Sequence, residues 1–409
     1  MQPEGRFPLL IAVAGTHGKS LSGSLLAHLL KGAKTPGEGE FMDNLSREKF
    51  LNRIQALHSS PENRWAGLEI TPRGLLQNAY HGLSFHLAVL TNLCPQSQGQ
   101  IHHPRYLALH RNLLAQMAGD GIAVVNADDP KALETLDVAG GKPVTYALQY
   151  PGAMVTAEDY QPFPMGSSFS LTIRNEIPRL GPWHRDISSF SVRVPLPGEV
   201  GVYTALAAAA SALALGIKEE EIARGLKTFP GLKRRLEYLT AGSIQIVDDI
   251  LPSPLALVYL LNSLAPLRFQ RMFLVLGVEK GEKEKLSRLA LALLEQEAKH
   301  PLAEIFLTSC GEELPASRKA SQTEEKAFLD TWQQGKGRAS VALFQGLAPA
   351  LQELSLSLKK GDLVLLLGGR GMNRAGKMIS SLLREEGEIR NMPEQKENLS
   401  DYRGFLNPS

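Results

Sequence analysis

The chain has 409 residues, 43% of them hydrophobic and 21% charged, with a formal net charge of +2. That length can hold two or three domains with full cores, and the near-neutral balance excludes the strong field expected of a nucleic-acid or membrane-surface binder. Cys94 and Cys310 lie far apart, form neither a metal motif nor a disulfide framework, and suit a reducing, cytoplasmic setting. No apolar run reaches the roughly 18 residues that span a bilayer, and the N-terminus lacks the pattern of a signal peptide.

The first element is an apolar run, Leu9–Ala14, that reads as a buried parallel strand. It breaks at Gly15-Thr16-His17-Gly18, and a helical pattern of Leu21, Leu25, Leu26 and Leu29 follows. Strand, glycine-rich turn, Gly-Lys-Ser and helix are the context of a phosphate-binding loop. The glycines let backbone N–H groups close on a phosphate, and the helix N-terminus adds about half a positive charge. Lys19 can reach the β/γ-phosphates, and the Ser20 hydroxyl can ligate Mg²⁺. Val13 stands where the general pattern has its first glycine. With Met1 only a few residues upstream, the nucleotide domain is expected to open the chain.

Further strands are expected at Leu87–Leu93 and Gly121–Asn126, and residues 151–197, with seven prolines and short alternating runs, read as a small antiparallel excursion. Tyr203–Leu215 should be a buried helix ending at Gly216. A second, mainly parallel domain is expected from about Gly231, with strands at Ile244–Asp248, Met272–Val278, Glu304–Thr308, Val341–Phe344 and Asp362–Leu367. It is Rossmann-like but has no G-x-G-x-x-G after a strand. The fold class is therefore α/β: a doubly wound P-loop domain (1–230), a smaller Rossmann-like C-terminal domain (231–384) and a polar tail (385–409). Residues 36–64 suit either a substrate loop or a plain connection.

An ordered set of short motifs follows the loop: LEITPRGLL (68–76), VLTNL (89–93), VVNADDP (124–130), the Ala-rich stretch 197–217, FPGLKRRLEYL (229–239), IVDDILPSP (246–254) and LLGGRGMNRAG (366–376). Together with AGTHGKS (14–20) they resemble the Mur ligase family, closest in layout to the ligase module of cyanophycin synthetase and to folylpolyglutamate synthetase. The resemblance places Glu69 on the family's Mg²⁺-binding glutamate, Asn92 at the end of a strand beside the site, Arg235 on the family arginine and Asp249 on a nucleotide-contacting aspartate. For Asp128 and Asp129 the local chemistry favours a turn and a helix cap before Pro130.

The chain departs from the family at several positions. The N-terminal UDP-sugar domain of muramyl ligases is expected to be missing. Gln96 and Ser97 replace the usual Asp-His, His110 stands at the carbamylated lysine, Val200 and Gly201 replace a His-Asn pair, and Pro252 replaces a histidine. His102 and His103 could substitute as metal ligands if their loop has shifted. The resemblance implies an ATP- and Mg²⁺-dependent ligase joining a small-molecule or peptide-like carboxylate to an amino acid through an acyl phosphate. In it Lys19, Glu69 and Asn92 are catalytic, residues Gly15, Thr16, His17, Gly18, Lys19 and Ser20 with Arg235 and Asp249 bind the nucleotide, and Ser20 and Glu69 hold the metal. The alternatives are a nucleotide-binding pseudo-ligase with a regulatory or assembly role, or an unrelated P-loop ATPase with Asp248 or Asp249 as its Walker B acid. Neither nucleic acid nor membrane is expected as a partner, and a protein partner is left open.

Overall fold

A nine-stranded sheet carries the first half of the chain, in the order β2-β3-β1-β4-β5-β6-β7-β8-β9. Its strands are β1 (Leu9–Ala14), β2 (Glu38–Met42), β3 (Asn63–Glu69), β4 (Leu87–Leu90), β5 (Ile122–Asn126), β6 (Lys142–Ala147), β7 (Val155–Phe163), β8 (Gly166–Ile173) and β9 (Ser188–Val194). The structure is a computed structural model and describes residues 9–33, 38–42, 47–58, 63–93, 103–163, 166–180, 187–251 and 253–385. Cys94, Gln96, Ser97, His102, Pro252 and the tail from residue 386 lie outside the described residues, as does the side chain of His103.

β1 pairs in parallel with β3 on one side and β4 on the other. The chain builds outward first to β2 and then reverses to β4, so the direction of winding switches at β1. A crevice opens at the C-terminal ends of the strands at such a switch point, and residues 15–18 lie there. β1, β4 and β5 are apolar on both faces because helices cover both sides of a parallel sheet. The first unit's helices are α1 (Lys19–Gly32), α2 (Arg47–His58), α3 (Pro72–Leu76), α4 (His103–Ala115), α5 (Pro130–Leu133), α6 (Gly198–Ala214), α7 (Glu219–Lys227) and α8 (Pro254–Ser263).

Several sequence expectations shift in the structure. Strand β4 stops at Leu90 rather than Leu93, because Thr91 and Asn92 turn their polar groups onto the loop after β1. The antiparallel excursion is no separate module: β7 joins β6 in parallel and β8 and β9 then extend the same sheet antiparallel, with Phe169 opposite Val192. α6 begins at Gly198, before the expected Tyr203, and ends as expected before Gly216, whose φ of 84° stops it. Its alanines are buried nearly all round, and their small side chains let neighbouring elements approach closely. At Gly201 a Cβ would lie 2.1 Å from the Leu196 carbonyl oxygen, so only glycine fits where the family carries a polar side chain.

The compact units are Met1–Leu236 with Ser253–Arg268, and Glu237–Pro252 with Phe269–Ser409. The second contains a six-stranded sheet in the order β10-β11-β15-β12-β13-β14. These strands are β10 (Glu237–Ala241), β11 (Ile244–Asp249), β12 (Met272–Gly277), β13 (Leu302–Thr308), β14 (Ser340–Phe344) and β15 (Leu363–Leu367). Only the β10–β11 pair is antiparallel. Helices α9 (Lys283–Gln296), α10 (Gln322–Gln334), α11 (Leu347–Ser357) and α12 (Ala375–Glu385) pack with it. The second core gathers Phe273, Val275, Phe306, Leu351, Leu366 and Ile379. Fully burying each such side chain stabilises the fold by roughly 1.5–3 kcal/mol.

Candidate active site

The turn after β1 is shaped by two glycines. Gly15 has φ 127°, and a Cβ there would lie 2.2 Å from Thr91 Oγ1, so the position needs glycine on both counts. Gly18 has φ 80° and is the residue before α1. The segment after β4 holds the turn from the side. Asn92 Oδ1 accepts from the His17 N–H (3.0 Å) while its Nδ2 donates to the His17 carbonyl (3.1 Å). Thr91 Oγ1 donates to the same carbonyl at 2.7 Å, and the Thr16 N–H donates to the Asn92 carbonyl at 2.9 Å. Asn92, which the resemblance makes catalytic, grips the backbone of the loop with its amide.

Lys19, only 9% exposed, donates from Nζ to the Gly15 and Thr16 carbonyls at 3.0 and 3.1 Å. Its ammonium is therefore held over the turn rather than in solvent. Ser20 Oγ donates to Glu69 Oε2 at 2.8 Å. Glu69 ends β3, in register with Val13 of β1, so the pairing of the two strands brings this buried carboxylate beside the start of α1. Two hard oxygen donors thus converge at a helix N-terminus.

A second support comes from α4. Tyr106 and Thr16 share a hydroxyl–hydroxyl hydrogen bond of 3.0 Å. His110, one turn on, bonds through Nδ1 to the Tyr106 carbonyl (2.9 Å), and the two rings lie 4.5 Å apart. Burial, with the Lys19 ammonium nearby, lowers the pKa of both His17 and His110 to about 4, so both imidazoles are neutral at pH 7. The Nε2 atoms of both are buried without a hydrogen-bond partner among the described residues.

Next to the loop lies a cavity of about 570 Å³, lined among others by His17, Asn92, Asp128, Tyr146, Tyr203 and Tyr259. The Asp-Asp pair builds its wall in the structural manner expected. Asp129 caps α5 through the N–H groups of Lys131 and Ala132 and also accepts from the Leu93 N–H. Asp128 accepts from the N–H groups of Leu148, Gln149 and Tyr150 and from the Tyr203 hydroxyl (2.8 Å). Burial and the Asp128 carboxylate push the Tyr203 hydroxyl well above the usual phenol range. Asn126 Nδ2 donates to the Thr91 carbonyl at 3.0 Å, tying this wall to the loop.

Arg235 belongs to the first unit, where its N–H donates to the Leu232 carbonyl (3.1 Å) in a turn flanked by positive φ at Arg234 and Leu236. Asp249 belongs to the second unit and ends β11 beside Leu367 of β15. The Walker B alternative fails on topology, since Asp248 and Asp249 are in the six-stranded sheet while the loop is in the nine-stranded one. Glu69, on the strand next to β1, occupies the place that alternative requires. The tyrosines 106, 146, 203 and 259 were missed in the sequence. Only the i, i+4 pairing of Tyr106 with His110 carried any local signal.

Comparison with known proteins adds three findings. Residues 13–212 match the model of the Mur ligase middle domain. The chain is 25% identical over 385 residues to the UDP-N-acetylmuramoyl-L-alanyl-D-glutamate–2,6-diaminopimelate ligase of Bacillus licheniformis, covering 88% of this chain and 73% of that one. To the ligase of the same name from Listeria monocytogenes it is 23% identical over 69% of this chain, and it spans only 60% of that relative's length. The MurF ligase of Thermotoga maritima, solved in complex with ADP, superposes with a TM-score of 0.67 over 93% of this chain and 81% of its own, at 17% identity. That likeness establishes the fold.

Proposed function

We propose that the chain, whose residues 13–212 match the Mur ligase middle domain, is an ATP-dependent ligase of that family that joins a carboxylate to an amine through an acyl phosphate. The observation that carries the proposal is the convergence of Lys19, Ser20 and Glu69 on the turn after β1. In this reading a carboxylate oxygen attacks the γ-phosphorus of ATP, the bond to the β-phosphate oxygen breaks, and ADP leaves with the electron pair. The amine nitrogen then attacks the acyl carbon, the carbon–oxygen bond to phosphate breaks, and the amine gives up a proton to water. Such transfer needs alignment and charge neutralisation more than covalent help.

The chain's own groups provide both. The N–H groups of Gly18, Lys19 and Ser20, at the positive end of α1, bind the phosphates, those of Thr16 and His17 being taken up by Asn92. Lys19 balances the charge that develops on them. Asn92 and Thr91 keep the turn in shape, and the tyrosine-walled cavity takes the nucleoside. Arg235 and Asp249 are assigned to the nucleotide as well. Ser20 and Glu69 fit Mg²⁺, because both are hard oxygen donors and such an ion commonly takes only one or two protein ligands beside phosphate. When bound, the ion neutralises phosphate charge. The substrates are a small-molecule or peptide-like carboxylate and an amino acid, and the setting is cytoplasmic. Among the described residues no helix is long and apolar enough to cross a membrane.

The test is phosphate release from Mg-ATP by wild type beside Lys19→Ala, with a panel of amino acids and acidic peptides. Amine-dependent release that disappears in Lys19→Ala supports the ligase. Tight ATP binding with no release under any condition would overturn it.

A further inference from the structure

A second cavity, of about 500 Å³, begins at Ser20 and Glu69 and runs along the opposite side of the loop from the tyrosine-walled one. Its long wall is one face of α1, because Ser20, Ser24, Ala27, His28 and Lys31 recur at helical spacing. At 1.5 Å per residue, the eleven-residue step from Ser20 to Lys31 sets the two ends roughly 16 Å apart.

The facing wall is apolar and built with care. The Phe41 ring lies in a slot made by two missing side chains: a Cβ on Gly23 would sit 2.0 Å from it, and one on Gly67 2.4 Å. Phe229, Pro230 and Leu232 close the other side. His28 is committed to this wall, with Nε2 on Thr228 Oγ1 (3.1 Å) and its ring edge-on to Phe229 at 5.7 Å. Lys31 stands exposed at the far end with no ion pair among the described residues. The cavity therefore has a polar, phosphate-side mouth, an aromatic middle and a cationic far end.

We propose that this cavity binds the carboxylate substrate, and that it selects an elongated acid with an apolar, aromatic-compatible body and a second anionic group that pairs with Lys31. The assignment rests on the ligase reading above. The reacting carboxylate must lie beside the γ-phosphate, whose Mg²⁺ Ser20 and Glu69 would hold, and the cavity is continuous with that pair. The rest of the molecule then lies along α1, where Phe41 and Phe229 cover it.

The probes are biphenyl-4,4′-dicarboxylate and biphenyl-4-carboxylate, titrated into the full chain. Wild type should bind the diacid about fivefold more tightly than the monoacid, the worth of one partly exposed charge pair. Lys31→Glu should erase that preference, and Ala27→Trp, which fills the cavity, should weaken both acids more than about tenfold. Mg-ADP affinity should be unchanged in both variants, which also shows that they are folded. Equal affinity of the two acids in wild type, a preference that survives Lys31→Glu, or full binding by Ala27→Trp would each overturn the assignment. A parallel assay with Mg-ATP and hydroxylamine reports acyl phosphate as a hydroxamate. No hydroxamate and no amine-dependent phosphate release with any acid would overturn the ligase reading, while the titrations still decide what the cavity binds.

Discussion

Each of the two sheets ends a central parallel strand in a glycine-rich turn, and the two turns are used in opposite ways. After β1, Gly15 (φ 127°) and Gly18 (φ 80°) lead straight into the fourteen-residue α1. After β15, Gly368 (φ 145°) and Gly369 lead into a three-residue 3₁₀ turn, Arg370–Met372, before α12. The backbone of the first turn is held by neutral groups, Thr91 and Asn92, and the Glu69 carboxylate beside it accepts from the Ser20 side chain. The second is held by an anion from within the chain. Glu279, 5% exposed, reaches the Gly371 N–H (3.4 Å) and pairs with Arg318, and a Cβ on Gly369 would sit 2.2 Å from its Oε1. A backbone shape that can receive an anion is common to both. Which one receives a ligand depends on whether the protein has already filled the place with its own carboxylate.

The comparison can be broken most directly at Lys19. Lys19→Ala should lower amine-dependent phosphate release at least about hundredfold, in the range seen when one charge-stabilising group is lost. Retention of activity would mean that the first turn is no more functional than the second. Glu69→Ala should cost turnover on a similar scale, about a hundredfold, while nucleotide affinity, followed by titration with Mg-ADP, changes only a few-fold. Equal losses of binding and turnover would reduce Glu69 to a support for Ser20.

The histidines around the first turn give it a pH signature. His17 and His110 have pKa values near 4 in the folded chain, against 6.5 for the free side chain. As pH falls from 6.5 toward 4, the unfolded chain binds protons that the folded chain refuses. Stability is therefore full above about pH 6.5, declines below it, and levels off near pH 4. His110 alone accounts for on the order of 3 kcal/mol of that decline. Urea unfolding of wild type and His110→Gln at pH 7 and 5 measures its share; parallel declines would remove the assignment.

Two smaller effects probe the second turn. Arg318→Ala leaves the buried Glu279 carboxylate without its guanidinium and should cost about 1–2 kcal/mol in denaturant unfolding, discounted because Arg318 is partly exposed. Arg370→Ala, at an exposed position in the same turn, should change stability by less than about 0.5 kcal/mol. A larger loss at Arg370 than at Arg318 would show that the internal carboxylate is not what holds this turn.

Much of the site was legible because its chemistry is local. Gly15, Gly18, Lys19 and Ser20 are adjacent in sequence, and the turn, the helix start and the phosphate contacts all arise within a few bonds of one another. The Asp128–Asp129–Pro130 cap was legible for the same reason. The extent of β4 was misread because nothing in LAVLTNL marks where the strand ends; the turn after β1, more than 70 residues away, takes up Thr91 and Asn92. The antiparallel segment was read correctly as antiparallel but not as part of the main sheet, since alternation along a strand says nothing about its neighbour.

The sequence by itself determined the α/β class, the phosphate loop and the order of the family motifs, because each depends on periodicity or on residues close in the chain. Tertiary structure alone decided what surrounds them. It brought Glu69 to Ser20 through strand pairing, Tyr106 to Thr16 through the packing of α4, and Asp128 to Tyr203 across 75 residues. It also hollowed a cavity on each side of the loop. These are long-range contacts set by how strands register and helices pack, and no local pattern encodes them.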